Sequence, residues 1–344
     1  MISGANTDNR KDIEKLKDFQ FNEMVSSISP VEWIEKTEYR KFPIFNQDGS
    51  GSCVAQSMAK LLGILYWLKN KVYIHFSATD IYQRRANKPA GGMNGVDAFD
   101  IAREGITLEE LVPSQDMSDE EMDSIDIEQY KHDVGSIFKI SDYVSMPIKD
   151  IDTIASTIQT TGKGVMVWFY FQHDEWTDIP NIKNLTLDLN ATTTSRHSVV
   201  AVDYTLHNGK KALIIEDSWG TSFGKEGQRI ITEDFFKIRN WFAAYPISFK
   251  FDEPAVIKPL YTFTKFMKYG QTNEDIVALQ NILKFEKLFP SNINSTGFYG
   301  SITSKAVLAW QLKNNVAPLE ELNYLQGRVS GPKTISTLNN LYSK

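Results

Sequence analysis

The sequence predicts an α+β fold followed by a separate small all-α unit, on three observations. The runs GVMVWFYF (164–171), HSVVAVDY (197–204) and KALIIEDSW (211–219) have the length and β-branched content of buried strands. Ahead of them, Val54, Met58, Leu61, Leu62, Leu65 and Leu68 recur at helical spacing. After them, FDEPAVIKP (251–259) carries two prolines and little periodicity, and the segment beyond is helix-rich. With 344 residues, two domains are the starting expectation.

Taken in order, residues 1–29 form a polar N-terminal arm with a short helical pattern at Ile13, Leu16, Phe19 and Phe21. Residues 30–251 form the mixed domain, and residues 252–265 are a linker. Residues 266–344 form the helical domain, with helices expected in DIVALQNILKF (275–285), TGFYGSITSKAVLAWQLKNN (296–315) and SGPKTISTLNNL (330–341). A Gly-x-x-Thr turn opens each of the last two, at Gly300 to Thr303 and Gly331 to Thr334, which points to a small internal similarity.

Hydrophobic residues at 42% and charged residues at 23% match a globular protein and exclude collagen, coiled coil and disorder. No apolar run reaches the roughly 18 residues of a membrane span. The N-terminus MISGANTDNRKDIEKLKDFQF lacks a signal peptide's apolar stretch, so synthesis in the cytoplasm is expected, with any export by another route. One cysteine, Cys53, excludes a disulfide framework and a zinc site of several thiolates, and fits a reducing compartment. No phosphate-binding loop or metal-ligand cluster stands out, so neither cofactor nor metal is implied, and nucleic acid is not an expected partner. The sequons at Asn184, Asn190 and Asn294 carry meaning only in a glycosylating compartment. Charge is uneven: residues 255–344 hold ten basic and five acidic residues against 27 and 38 before them. A basic tail on an acidic body suits an anionic partner, and also suits a plain solvated surface.

The strongest local signal is NQDGSGSCVAQSMAKLLGILYWLK (46–69). Cys53 follows loop-forming Gly49, Ser50, Gly51 and Ser52 and opens the long helix. A thiol there faces unpaired amides and the positive end of the helix dipole, which favour the thiolate a nucleophile needs. An inert buried cysteine is the plain alternative. The glycines let the chain fold back so that the Gln47 amide and the Cys53 N–H form an oxyanion hole.

Gln47, Gly49, Gly51, Ser52, Cys53 and Ser57 resemble the active-site segment of papain-like cysteine peptidases. Two departures stand out: Ser50 occupies the place of the family's preceding cysteine, and Val54 that of its tryptophan. The resemblance implies a two-lobed catalytic domain over residues 30–251, with a helical and a β-rich lobe. It makes His197, at the start of HSVVAVDY, the base and acid, in preference to His75, His132, His173 and His207. EDSWGTSFGKEGQRII (216–231) resembles the family's Asn-Ser-Trp-Gly segment, with Asp217 at the orienting position and Trp219 as the shield beside it. FSATDIYQRR (76–85) and GGMNGVDAFDIAREGI (91–106) also match, and Gly91 and Gly92 with Trp219 are the substrate-binding candidates. The family's long propeptide has no counterpart in 29 residues, which leave room for a short lid at most.

The C-terminal segment resembles the three-helix peptidoglycan-binding domain of cell-wall hydrolases, through Leu279 and Gln280, Phe298 to Gly300, and Val307 to Gln311. These two resemblances imply a cysteine endopeptidase acting on peptide or protein substrates and directed to peptidoglycan or another anionic wall polymer. Wall remodelling or lysis, with a phage-encoded enzyme among the settings, is the leading expectation. A general papain-like peptidase and a catalytically silent wall-binding or structural protein are the alternatives.

Overall fold

The Cys53–Asn70 helix organises the first part of the chain, because every residue from Cys53 to Leu65 is buried. One side packs on the helices Ala78–Gln83 and Gly95–Glu104, the other on the strand Thr194–His207. Burial on all sides forces its polar residues to find partners. Gln56 Nε2 donates to the Ser114 carbonyl at 3.0 Å, and Ser57 Oγ accepts from Ser198 Oγ at 2.9 Å. Lys60 pairs with Glu216 at 2.6 Å.

The computed structural model describes residues 4–25, 27–182, 185, 194–251, 258–290 and 295–343; the three sequon asparagines and linker residues 252–257 lie outside them. The chain divides into two compact units, Met1–Asp252 and Glu253–Lys344. No helix among the described residues is long and apolar enough to cross a membrane.

The first unit is an α+β fold in which helices pack on one large sheet. Its sheet has seven strands in the order Phe19–Gln20, Tyr143–Ser145, Asn240–Pro246, Val165–Gln172, Thr194–His207, Lys210–Glu216 and Gln228–Thr232. The first pair is parallel and the others antiparallel. The sheet separates two cores. Met166, Trp168 and Val200 join the Cys53 helix on one face, while Val167, Phe169, Val199 and Ile215 form the other core with the helix Ile151–Thr161. Strands covered on both faces read as continuous apolar runs, which is why 164–171 and 197–204 are legible in the sequence. Register sets Phe169 opposite His197.

The arm departs from the helical pattern read in its sequence. Two single-turn helices, Asp12–Lys15 and Phe21–Met24, flank the strand Phe19–Gln20, which joins the sheet edge. Segments this short do not sustain a helix without packing, and Ile13 and Leu16 remain exposed.

The second unit has its own core of Phe263, Leu279, Leu283, Tyr299, Trp310 and Leu338. Three helices, Glu274–Phe285, Ser301–Lys313 and Pro332–Tyr342, fall on the expected segments, and a shorter fourth, Leu319–Leu325, lies between the last two. The internal similarity is structural. Gln280 Nε2 donates to the Phe298 carbonyl and Thr303 Oγ1 at 3.0 and 2.9 Å. Gln311 Nε2 donates to the Val329 carbonyl and Thr334 Oγ1 at the same distances. Each helix thus uses a glutamine to hold the start of a later one, and Gly300 and Gly331 are the corresponding N-caps.

The Lys60–Glu216 pair ties the Cys53 helix to the strand that leads into Asp217, with side chains 4% and 1% exposed. Burial lowers the Lys60 pKa and raises that of Glu216, each opposed by the partner's charge. Lys60→Met leaves the Glu216 carboxylate buried and unpaired, and is expected to cost about 3–5 kcal/mol in urea unfolding. The double change Lys60→Met with Glu216→Leu is expected to recover most of that loss; equal losses in the two proteins would show that the pair is not coupled.

Candidate active site

Two loops are strapped together before any catalytic side chain is placed. Gln47 N donates to the Ser218 carbonyl at 2.8 Å and Gly220 N to the Phe45 carbonyl at 3.0 Å, with a bridge between Asn46 and Trp219. Ser218 Oγ donates to Gln47 Oε1 at 2.6 Å, while Gln47 Nε2 donates to the Ser50 carbonyl. The strap therefore brings Gln47, ahead of the helix, to the segment that carries Asp217 and Trp219. Cys53 is the first residue of its helix, so its N–H has no acceptor within that helix.

His197 Nε2 lies 2.7 Å from Asp217 Oδ1. A carboxylate accepts only, so Nε2 carries the proton and Nδ1 is the nitrogen that exchanges it. Nδ1 is buried and turned away from Asp217, and Cys53 beside the ring raises its basicity. Trp219 lies over the imidazole with ring centroids 5.0 Å apart, and Trp176 meets it edge-on at 5.3 Å. Burial opposes the charged imidazole, but the Asp217 carboxylate and then Cys53 outweigh it and push the His197 pKa up to about 9. Burial likewise works against ionised Asp217, yet His197 and then Arg229 hold its pKa down at about 2. The geometry sets a thiol beside an imidazole held by a carboxylate, an arrangement that can attack a carbonyl and protonate a leaving group.

Asp217 makes contacts that the sequence reading did not foresee. Oδ1 also accepts from Ser218 N at 2.8 Å, and Oδ2 accepts from Trp176 Nε1 at 3.0 Å and Arg229 Nε at 2.7 Å. A signal for Arg229 was present: in the strand Gln228–Thr232 it occupies a buried position with Ile231, where a charge requires a partner. Nothing in the sequence pointed to Trp176. Among the other histidines, His132 lies 3.3 Å from Asp80 and His75 packs against Phe45 and Tyr73.

Gly91 and Gly92 lead into the short strand Met93–Asn94, and the chain's own arm covers that edge. Ala5–Asn6 pairs with it in parallel, Met93 N donates to the Gly4 carbonyl at 2.7 Å, and Asn6 Nδ2 reaches the Gly91 carbonyl at 3.4 Å. A side chain at residue 4 would collide with the Gly51 carbonyl, its Cβ only 1.7 Å from that oxygen. Only glycine permits this approach. Ala5 is fully buried in the same core as Cys53, and its strand also packs on Thr194–His207. Cys53, His197 and Gln47 have no exposed surface. Deleting residues 1–11 removes several hydrogen bonds of about 1 kcal/mol each, and is expected to raise the rate of Cys53 alkylation by iodoacetamide by about tenfold or more. An unchanged rate would show that the arm does not guard the cysteine.

Comparisons with known proteins point to one family. The family model described as papain family cysteine protease matches residues 29–239. Among solved structures, xylellain, a cysteine protease from Xylella fastidiosa, is 17% identical with a TM-score of 0.55, over 72% of this chain and 96% of its own. Digestive procathepsin L2 from the larval midgut of Tenebrio molitor is 20% identical with a TM-score of 0.54, over 71% and 78%. Procathepsin B S9 from Trypanosoma congolense is 15% identical with a TM-score of 0.53, over 72% and 87%. At these identities the likeness is one of fold. No curated protein sequence matches the chain. The family match spans more than half of the sequence, and the chain therefore belongs to the papain family of cysteine proteases.

Proposed function

We propose that this protease cuts peptide bonds with Cys53 as nucleophile and that its second unit carries it to the bacterial cell wall. The observation supporting the chemistry is the line from Asp217 through His197 toward Cys53, buried and shielded by two indoles. The Cys53 thiolate attacks the scissile carbonyl carbon, and the oxyanion is met by the Cys53 N–H and the Gln47 carboxamide. The His197 imidazolium gives its Nδ1 proton to the departing amine. Neutral His197 then takes a proton from water, which attacks the thioester and releases the acid. Asp217 keeps the ring oriented and Trp219 keeps water from the His197–Asp217 bond. Gly91 and Gly92 offer backbone to the substrate once the arm is displaced, with Trp219 closing the other side.

The wall-directed part rests on the second unit. Its repeated glutamine-to-threonine brace and its own core favour a discrete helical module, and its basic charge suits an anionic polymer. A module that binds peptidoglycan would hold the protease at high effective concentration beside stem peptides and attached proteins. The setting is wall remodelling or lysis, in a host or a phage.

Sedimentation with purified sacculi tests this. Full-length protein and residues 255–344 are expected to pellet while residues 1–254 stay in solution. Release of new amino groups, abolished by Cys53→Ala, assigns stem peptides as the substrate; pelleting without release would exclude them and leave protein substrates. Failure of residues 255–344 to pellet would remove the wall from the proposal and leave a general protease.

A further inference from the structure

We propose that Arg229 is a positioning residue of the catalytic pair, one that fixes the Asp217 carboxylate in place and cancels its charge so that His197 can give up its proton. The inference rests on the reading of Cys53 and His197 as the reacting pair, and does not depend on the wall.

The buried site holds an electrostatic conflict. A buried carboxylate against a buried imidazole stabilises imidazolium strongly, because loss of the proton would leave a lone anion in a medium that solvates it poorly. Yet a peptidase histidine must shed its proton to the leaving amine and then work as a neutral base. Asp217 is 2% exposed and His197 fully buried, so water does not resolve the conflict.

Arg229 is placed to do so. Its Nε lies 2.7 Å from Asp217 Oδ2 and its Nη1 donates to the Trp176 carbonyl at 2.9 Å, while Trp176 Nε1 donates back to the same carboxylate oxygen. The guanidinium lies 5.6 Å from the Trp176 ring centroid and 5.4 Å from that of Trp219, the two rings that enclose His197. With the imidazole neutral, Asp217 and Arg229 still balance. With it protonated, the extra charge is matched by the Cys53 thiolate. Both protonation states that the reaction visits are therefore free of an orphaned buried charge.

The charged groups on the elements packed around the histidine leave this assignment intact. Cys53 comes from the helix, Asp217 from the loop after Lys210–Glu216, and Arg229 from Gln228–Thr232. The buried pairs Lys60–Glu216 and Arg239–Glu175 are each neutral overall. Arg196, next to His197 in its strand, points to the opposite face.

The sign follows. Removing Arg229 leaves Asp217 uncompensated, so the alkaline limb, where imidazolium loses its proton, moves up. Removing Asp217 leaves Arg229 uncompensated, so the limb moves down. Because Cys53 is the sole cysteine, ultraviolet thiolate absorbance and iodoacetamide labelling of the full-length protein report the pair directly. Arg229→Met is expected to raise the limb by about one pH unit or more, and Asp217→Asn to lower it by a similar amount. The double variant is expected to return within about half a unit of wild type, as coupled charges require. Arg229→Lys keeps the charge but loses the fork, so the limb is expected to stay while kcat falls by about tenfold. An unmoved or lowered limb in Arg229→Met, or Arg229→Lys behaving like Arg229→Met, would overturn the inference. If Arg229→Met does not fold, the double variant decides, and a limb displaced by more than about half a unit overturns it. A wild-type protein without a titrating thiolate–imidazolium pair would instead overturn the underlying reading of the site, and the inference with it.

Discussion

One buried carboxylate holds the site together. Asp217 accepts from His197, the Ser218 amide, Trp176 and Arg229, donors drawn from strand, loop and helix. Each bond orients a group that would otherwise have several rotamers, and together they define where the imidazole lies. A buried charge with this many donors is held in one place, because moving it would strand several polar groups at once. The shield of Trp219 and Trp176 keeps the surroundings dry, which strengthens every one of these contacts.

The rest of the catalytic unit serves to bring that carboxylate to the Cys53 helix. Lys60 with Glu216 and Ser57 with Ser198 cross from the helix to neighbouring strands of the sheet. Gln47 with Ser218 joins the loop before the helix to the loop after the strand. These polar contacts lie where the Cys53 helix and the loop before it meet the sheet and the loop after it. Their chemistry has directional demands that apolar packing lacks, so they fix the relative position of cysteine and histidine where hydrophobic contact alone would allow slippage. The arm adds a further layer over the same region, with glycines at residues 4, 51 and 92 allowing three backbones to approach closely.

The second unit uses a different economy. It is small, and instead of a large apolar interior it repeats one brace, a glutamine that reaches the first turn of a later helix. Repetition lets one solution to the orphaned groups at a helix start serve twice.

The sequence by itself determined the residue types and their order: Cys53 at a helix start, His197 on a strand, Asp217 and Trp219 after the next strand; that the strand begins three residues earlier, at Thr194, is set by its pairing with Val165–Gln172. It also determined the helix 54–69 and the three buried strands, because period and apolar content are local properties that survive without knowledge of the fold. Arg229 was half visible, as a charge on the inward side of an apolar strand. Only the tertiary structure decided that its counter-charge is Asp217, that Trp176 closes the site, and that residues 4–7 lie along the Gly91 and Gly92 edge. The short helical pattern in the arm holds only as two single turns for the same reason, since Phe19 and Gln20 between them pair with the distant strand Tyr143–Ser145. Contacts between residues far apart in the chain leave no period in the sequence; they exist only once packing has brought their elements together.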